Sequence, residues 1–251
     1  MPDRNRRGCP PLPLETLYNA RDLGGFPIAG ERTTVCGRFL RADAPVRLSH
    51  ADRNTLVAYP VSVVIDLRSR SEIRDMPHQL KGLPGIAYHH IPLLGDDLGQ
   101  DLARLQRHAG QERLTLADLY RHMLDQSQEA IGSVMTVLAG ETSGARLFNC
   151  SHGKDRTGLI AALLLGLVGV SADEIVADYQ VSEVYLEPWF RHIIRHVPPG
   201  ERHFFQTPAR YMQETLAHLA RQYRSAADYL LRCGVSRDSQ NRLVALLTER
   251  S

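Results

Sequence analysis

Arg146-Leu-Phe-Asn-Cys-Ser-His-Gly-Lys-Asp-Arg-Thr-Gly158, followed by an apolar run from Leu159 to Val170, decides the reading of this chain. Arg146 to Asn149 reads as a short buried strand. Cys150 opens a tight loop, and a helix starts near Arg156 or Thr157. A helix N-terminus leaves its first N–H groups unpaired and carries partial positive charge. Such an end binds phosphate, and its field lowers the pKa of a nearby thiol. Arg156 adds a planar fork that matches phosphate oxygens. Between Cys150 and Arg156 the loop has room to curl, so that the N–H groups of Ser151, His152, Gly153, Lys154, Asp155 and Arg156 point inward as a nest. Gly153 permits a left-handed or crowded backbone there. A thiolate beneath a bound phosphate can attack phosphorus. Strand, loop and helix therefore form a cradle for a tetrahedral dianion with a nucleophile at its floor.

The spacing is selective within the chain. Cys9, Cys36 and Cys233 have Glu15, Ala42 and Ser239 six residues on, and only Cys150 has an arginine there. A nucleotide-binding Walker loop is excluded. No glycine lies between Gly144 and Gly153, and Asp155 follows Lys154 where that motif needs Ser or Thr.

Around the loop, the composition is that of an ordinary globular protein, 43% hydrophobic and 23% charged over 251 residues. A formal net charge of +2 gives no argument for a nucleic-acid partner. Four cysteines without a CxxC pair argue against a disulfide scaffold or a zinc site and fit a reducing compartment. No apolar leader is visible in Met1 to Pro13, and the run Leu159 to Val170 is too short to span a bilayer. The expected location is cytoplasmic, with export without a cleaved signal as the other route.

Val61 to Leu67 is nearly continuous in β-branched and apolar residues and reads as a parallel strand buried on both faces. Asp66 and Arg68 sit at its carboxyl end, where functional groups gather in open α/β sheets. Asp66 is therefore a second candidate for the site, with Ser71 close behind. Thr33 to Val35 and Arg38 to Arg41 suggest a β-hairpin or a bent strand across Cys36-Gly37. Ile86 to Leu93 is a further strand, with His89 on one face and His90 on the other. Gly95, Asp96, Asp97 and Gly99 then make an acidic loop able to swing a carboxyl group. Helices are expected from Ser49 to Ala58, Thr115 to Gln126, Gln128 to Ala139, Ala172 towards Leu186 or beyond and from Thr207-Pro208 to about Tyr223. Two shorter ones close the chain, Ser225 to Leu231 and Ser236 to Leu247. Tyr18 to Gly25 is a structured turn. The aromatic segment Glu187 to Phe205, interrupted by Pro198-Pro199-Gly200, is a candidate lid. The expected organisation is a flexible arm over 1–13 and one domain over 14–251, with the lid at about 187–207. The fold class is α/β.

Several blocks occur together in order: Asn19-Ala-Arg-Asp-Leu-Gly-Gly25, Arg38-Phe-Leu-Arg-Ala-Asp43, Val64-Ile-Asp-Leu-Arg-Ser69 with Glu72, and Cys150 to Gly158. They are joined by Asp173-Glu-Ile-Val-Ala-Asp-Tyr-Gln-Val-Ser-Glu183 and Arg224-Ser-Ala-Ala-Asp-Tyr-Leu230. From about Leu17 on, this pattern resembles the bacterial tyrosine phosphatase family of the mycobacterial protein tyrosine phosphatase B type. The resemblance implies a mostly parallel central sheet flanked by helices, with a helical lid insertion. It implies hydrolysis of phosphomonoesters through Cys150, without metal or cofactor. The implied substrates are phosphorylated proteins, with dual specificity in some relatives, or phosphoinositides. Lys154 is shared with lipid-acting relatives, for which membrane contact is the natural setting. A catalytically weak phosphate-binding module is a third reading. Under the resemblance Arg156 stabilises the transferring phosphoryl group and Thr157 hydrogen-bonds the sulfur. The proton donor stays open among Asp155, Asp66, Asp97 and Asp96, in that order. One departure stands out: Asn149 replaces the histidine that usually precedes the cysteine, so a less depressed thiol pKa is expected.

Overall fold

The computed structural model describes residues 9–10, 12–95, 114–140 and 144–249. Asp96, Asp97 and Gly99, and with them the expected acidic loop, lie outside the described residues. So does most of the arm over 1–13.

Among the described residues, seven strands form two sheets: β1 (Arg21–Asp22), β2 (Pro27–Ile28), β3 (Arg32–Thr33), β4 (Phe39–Ala42), β5 (Val61–Asp66), β6 (Ala87–His90) and β7 (Ala145–Asn149). The main sheet has the order β1-β4-β7-β5-β6, and only β1 runs antiparallel to its neighbour. β2 and β3 pair as a small separate hairpin. The expected α/β architecture with a mostly parallel sheet is present, and β7, the strand that leads into Cys150, occupies the middle.

Register is what positions the site. Ala42 pairs with Asn149, Asn149 with Asp66, and Asp66 with His90. The carboxyl ends of four parallel strands therefore lie in one row. Alternate strand residues divide between two cores, as the period of two requires. Phe39, Ile65 and Phe148 face the larger core, whereas Leu40, Val64 and Leu147 face the smaller one.

Among the described residues, nine α-helices and one 3-10 helix cover the sheet. They are α1 (His50–Ala58), α2 (Arg70–Asp75), α3 (Leu116–Gln126), α4 (Gln128–Leu138), α5 (Arg156–Leu167) and α6 (Ala172–Ile193), followed by a 3-10 turn (Pro199–Phe205), α7 (Ala209–Tyr223), α8 (Ala226–Arg232) and α9 (Arg237–Thr248). Their starts follow the local chemistry. Ser49, Ser69 and Thr115 each make a reciprocal capping box with the residue three positions on, and such a cap is worth about 1 kcal/mol. Residues Arg156 to Leu165 of α5 are buried all round, as an apolar run too short for a bilayer demands. Among the described residues, no helix is long and apolar enough to cross a membrane.

Three expectations change. Arg38 to Arg41 does not pair with Thr33 to Val35. Instead Phe39–Ala42 is fully buried between β1 and β7, because burial of both faces outweighs the local turn. Helix α6 runs on beyond Leu186, within the expected extent, to Ile193 and takes Pro188 into its last turns. Both His89 and His90 are half-buried rather than one inside and one outside, since β6 is the edge strand. Cys9 and Cys36 form a disulfide across a sequence separation of 27, contrary to the expectation of free thiols. Cysteine spacing carries no information on which turns approach each other. Here the N-terminal chain folds back to the turn after Thr34, against Gly24, where an added Cβ would stand 2.6 Å from the Cys9 sulfur. The arm is thus tied at Cys9, and Leu12 and Leu14 pack against the smaller core.

Candidate active site

The loop between β7 and α5 is shaped by groups that grip its carbonyls from outside. Leu67 N–H donates to the Asn149 carbonyl at 2.8 Å, and Ala44 N–H donates to that of Ser151 at 3.2 Å. Asn19 Nδ2 donates to the His152 carbonyl at 2.9 Å, and Arg41 Nη2 to that of Gly153 at 2.7 Å. The Lys154 and Asp155 carbonyls accept the N–H groups of Gly158 and Leu159 as the helix begins. With the carbonyls held outward, the peptide N–H groups turn to the other side. None of the N–H groups from Ser151 to Arg156 has a protein acceptor among the described residues. Six consecutive backbone donors without a protein acceptor are what an anion nest requires.

Gly153 is required by this turn. Its φ is +64°, and an added Cβ would lie 2.5 Å from the carbonyl carbon of Ala42. A side chain there would be strained and would collide with the end of β4.

The supports come from segments far apart in sequence. Asp43 accepts the N–H of Asn19 at 2.9 Å and of Tyr18 at 3.1 Å, which fixes Asn19 beneath the loop. Arg41 and Arg21 share Asp178 of α6. Arg41 Nη1 pairs with Asp178 Oδ2, and Arg21 Nε lies 2.8 Å from Oδ1. Arg21 also donates to the Asn19 carbonyl and to Ser182. Asp22, its neighbour in the turn, serves a different end: its carboxylate takes the N–H groups of Gly24 and Gly37 and the Tyr59 hydroxyl.

Cys150 is 2% exposed and not disulfide-bonded. Arg156 opens α5, and its two terminal nitrogens pair with Glu72 of α2 at 2.6 and 2.7 Å. A guanidinium has five N–H donors. Glu72 takes two and the Leu67 carbonyl a third, at 3.5 Å from Nη1. Among the described residues, one N–H on Nε and one on Nη2 remain without a partner, the edge a phosphate accepts bidentately. Burial alone would raise the Glu72 carboxyl, but hydrogen bonds and charge from Arg156, with help from the Ser151 hydroxyl, hold it down to about 2. Glu72 therefore stays ionised and keeps Arg156 in one orientation. Ser69 and Glu72 form a reciprocal cap, so the same carboxylate also fixes the start of α2.

Lys154 and Asp155 point away from that pair. Lys154 Nζ lies 2.6 Å from Asp155 Oδ1, with Lys154 1% and Asp155 21% exposed. The Tyr120 hydroxyl of α3 donates to the same oxygen and stands 2.8 Å from the Tyr179 hydroxyl of α6. Burial pushes the Asp155 carboxyl up, but the charge and hydrogen bond of Lys154 and the hydrogen bond of Tyr120 outweigh it, so its pKa lies below the usual value. Thr157 has a buried hydroxyl without a hydrogen-bond partner among the described residues.

Asp66 stands apart from the nest. It is fully buried, paired with Arg68 at 2.7 Å and hydrogen-bonded by the Tyr88 hydroxyl at 2.9 Å. Its Oδ1 also accepts a long contact, 3.4 Å, from Asn149 Nδ2. Asn149 Oδ1 lies 3.1 Å from His78 Nε2. His78 Nδ1 accepts the Leu80 N–H at 3.2 Å, so Nε2 carries the proton and donates. Asp66 and Asn149 thus belong to a polar layer beneath Cys150.

His152 closes the opposite side. Its ring lies 4.6 Å from Trp189, 5.7 Å from Phe190 and 6.5 Å from Phe205, centroid to centroid. Burial, reinforced by Lys154 and Arg156, pushes its pKa down to about 4, so the ring is neutral at physiological pH. The candidate lid segment is therefore in contact with the phosphate loop itself.

Sequence reading assigned no role to Glu72, Arg41, Asp178, Tyr120 or Tyr179. The Ser69-x-x-Glu72 capping pattern was a visible signal for α2, but nothing local pointed its glutamate at Arg156. Among the described residues, no group of three or more His, Cys, Asp or Glu is arranged to hold a metal ion.

Comparison with known proteins agrees with this geometry. Residues 12–249 match the model of the tyrosine phosphatase family. A tyrosine-protein phosphatase of Nostoc commune is 35% identical over 209 residues, covering 79% of this chain and 70% of the relative. The triple specificity protein phosphatase PtpB of Mycobacterium tuberculosis is 33% identical over 192 residues, covering 66% of this chain and 67% of the relative. With the family model matched over residues 12–249 and a relative 35% identical over 79% of the chain, the protein belongs to the tyrosine phosphatase family.

Proposed function

We propose that the chain hydrolyses phosphotyrosine in protein substrates through a phosphocysteine on Cys150. The observation that carries this reading is the run of N–H groups from Ser151 to Arg156, none with a protein acceptor among the described residues, next to the Nε–Nη2 edge of Arg156 that Glu72 and Leu67 leave open. A phosphate dianion seated there has Cys150 beneath phosphorus. The thiolate attacks in line, the S–P bond forms, and the P–O bond to the leaving group breaks. Asp155 gives its proton to the leaving oxygen. It then accepts a proton from the water that attacks the phosphocysteine, and Cys150 leaves as thiolate. Thr157, with its unengaged hydroxyl, is suited to hydrogen-bond the departing sulfur. Arg156 follows the charge as it spreads over the equatorial oxygens.

Asp155 is favoured over Asp66 as the acid because Asp155 is in the loop and partly exposed. Asp66 is sealed under it with its oxygens taken by Arg68 and Tyr88. Trp189, Phe190 and Phe205 form the lid wall, which would meet an aromatic leaving group through His152. One relative carries the name triple specificity protein phosphatase, in line with the range to phosphoserine and phosphothreonine that the family resemblance implies. The lipid reading is weaker, since Lys154 is buried against Asp155 rather than offered at the entrance. The test is phosphate release from phosphotyrosine, phosphoserine and phosphothreonine peptides and from phosphoinositide vesicles, with Cys150→Ser as the blank. Turnover led by phosphotyrosine is expected, and turnover confined to the vesicles would replace the protein reading with the lipid one.

Lys154 sets the pH range. Its charge lowers the Asp155 pKa, and an acid catalyst works only while protonated, so kcat/KM falls as pH rises through that pKa. Lys154→Met removes the lowering influence and is expected to move the basic limb of the profile to higher pH. An unmoved limb, or one moved to lower pH, would contradict Asp155 as the acid.

A further inference from the structure

We infer that Tyr120, backed by Tyr179, is a positioning residue that presents the proton-bearing oxygen of Asp155 to the leaving group. The inference rests on the reading of Asp155 as the acid. Asp155 Oδ1 accepts two donors, Lys154 Nζ and the Tyr120 hydroxyl. Oδ2 has no hydrogen-bond partner among the described residues. A carboxyl group fully engaged at one oxygen has the other left for its proton. That oxygen is the one free to meet a substrate in the nest.

Donor counting sets the direction of the chain. Tyr120 has one proton, and the bond to Asp155 uses it. The 2.8 Å contact between the two hydroxyls must therefore be donated by Tyr179. The order is Tyr179 to Tyr120 to Asp155, with each bond polarising the next. Both phenols have raised pKa values, burial being the largest cause and the Asp155 charge next, so both remain protonated donors across the working range.

The two tyrosines come from different elements. Tyr120 lies on α3 and Tyr179 on α6, beside Asp178, which holds Arg41 and Arg21. One turn of α6 therefore anchors both the loop carbonyls and the acid. The charged and titratable groups facing Asp155 are Lys154, His152 and Arg156 from its own segment, Tyr120 from α3 and Tyr179 from α6. During turnover Tyr120 keeps its proton. Asp155 alone loses one to the leaving oxygen and regains one from water, so the pair changes no atom balance in the reaction.

The experiment compares Tyr120→Phe, Asp155→Asn and the double variant on an aryl and an alkyl phosphate. The poorer alkyl leaving group depends more on the acid. Tyr120→Phe is expected to lower kcat on the alkyl phosphate by about tenfold, as loss of the hydrogen bond that orients the acid would, with little change on the aryl phosphate. It should add no further loss once Asp155 is Asn, and it should move the basic limb of the pH profile to higher pH. Equal losses on both substrates, or losses additive with Asp155→Asn, would overturn the inference. If Asp155→Asn itself spares the alkyl phosphate, the reading of Asp155 fails first, and the role of Tyr120 falls with it. Should Tyr120→Phe not fold, Tyr179→Phe removes the donor behind it and is expected to act in the same direction on the same leaving-group ratio. No change in that ratio would again overturn it.

Discussion

Cys150→Ser is expected to abolish phosphate release, by at least about 10⁴-fold in kcat, while leaving inorganic phosphate binding near its original strength. The two halves of this expectation have separate causes. The nest is made of backbone N–H groups whose direction is set by Asn19, Arg41, Ala44 and Leu67 acting on carbonyls, and none of these contacts involves the sulfur. Serine is slightly smaller than cysteine and fits the same buried position without disturbing them. The nucleophile is another matter. A hydroxyl remains protonated at neutral pH, and the N-terminal field of α5 is far from strong enough to ionise it. The phosphate would then sit over an inert oxygen. Phosphate release and phosphate binding, measured on the same variant, check both parts. Full activity in the variant, or none in the native chain, would contradict the nucleophile.

Arg156→Lys is expected to lower kcat/KM on the order of 10³-fold, in the range known for arginines that stabilise phosphoryl transfer. Arg156 makes two sets of contacts at once because its donors point along fixed directions. The end toward Glu72 anchors it, and the Nε–Nη2 edge is left for the phosphate. A lysine ammonium is a single point of charge and cannot hold both partners. Glu72 makes the loss larger, since its carboxylate is held ionised and would face the dianion without full compensation. This leads to a signed check. Arg156→Met should bind phosphate less well than Arg156→Met combined with Glu72→Gln, because the second change removes the repulsion. If neutralising Glu72 gave no recovery, Glu72 would be no more than a cap for α2.

These effects originate at different distances from the motif. Cys150, Gly153 and Arg156 were legible as a set, because a thiol, a residue able to take positive φ and a guanidinium at a helix start are requirements of local geometry. The strand before them and the buried helix after them follow from hydrophobic pattern alone, and both formed. Asp66 was read as a site candidate from its place at a strand end. That place is correct, yet its neighbour Arg68 and the distant Tyr88 enclose its carboxylate. Being at the carboxyl edge of a sheet does not say whether a side chain faces a ligand or the layer beneath. The Cys9–Cys36 bridge was unreadable for a related reason: a turn of chain brings residues together that spacing leaves unrelated.

The amino-acid sequence by itself determined the chemistry available here: one cysteine with an arginine at the spacing of a phosphate loop, a parallel α/β frame, and ordered blocks of polar residues without an assigned task. Only the tertiary structure decided those tasks. Asn19 and Arg41, the latter held by Asp178, grip loop carbonyls, Glu72 orients the arginine, and Tyr179 backs Tyr120, which donates to one oxygen of Asp155. The reason is physical. A backbone nest depends on where its carbonyls are held, and the groups that hold them lie on strands and helices that only folding brings to the same edge of the sheet.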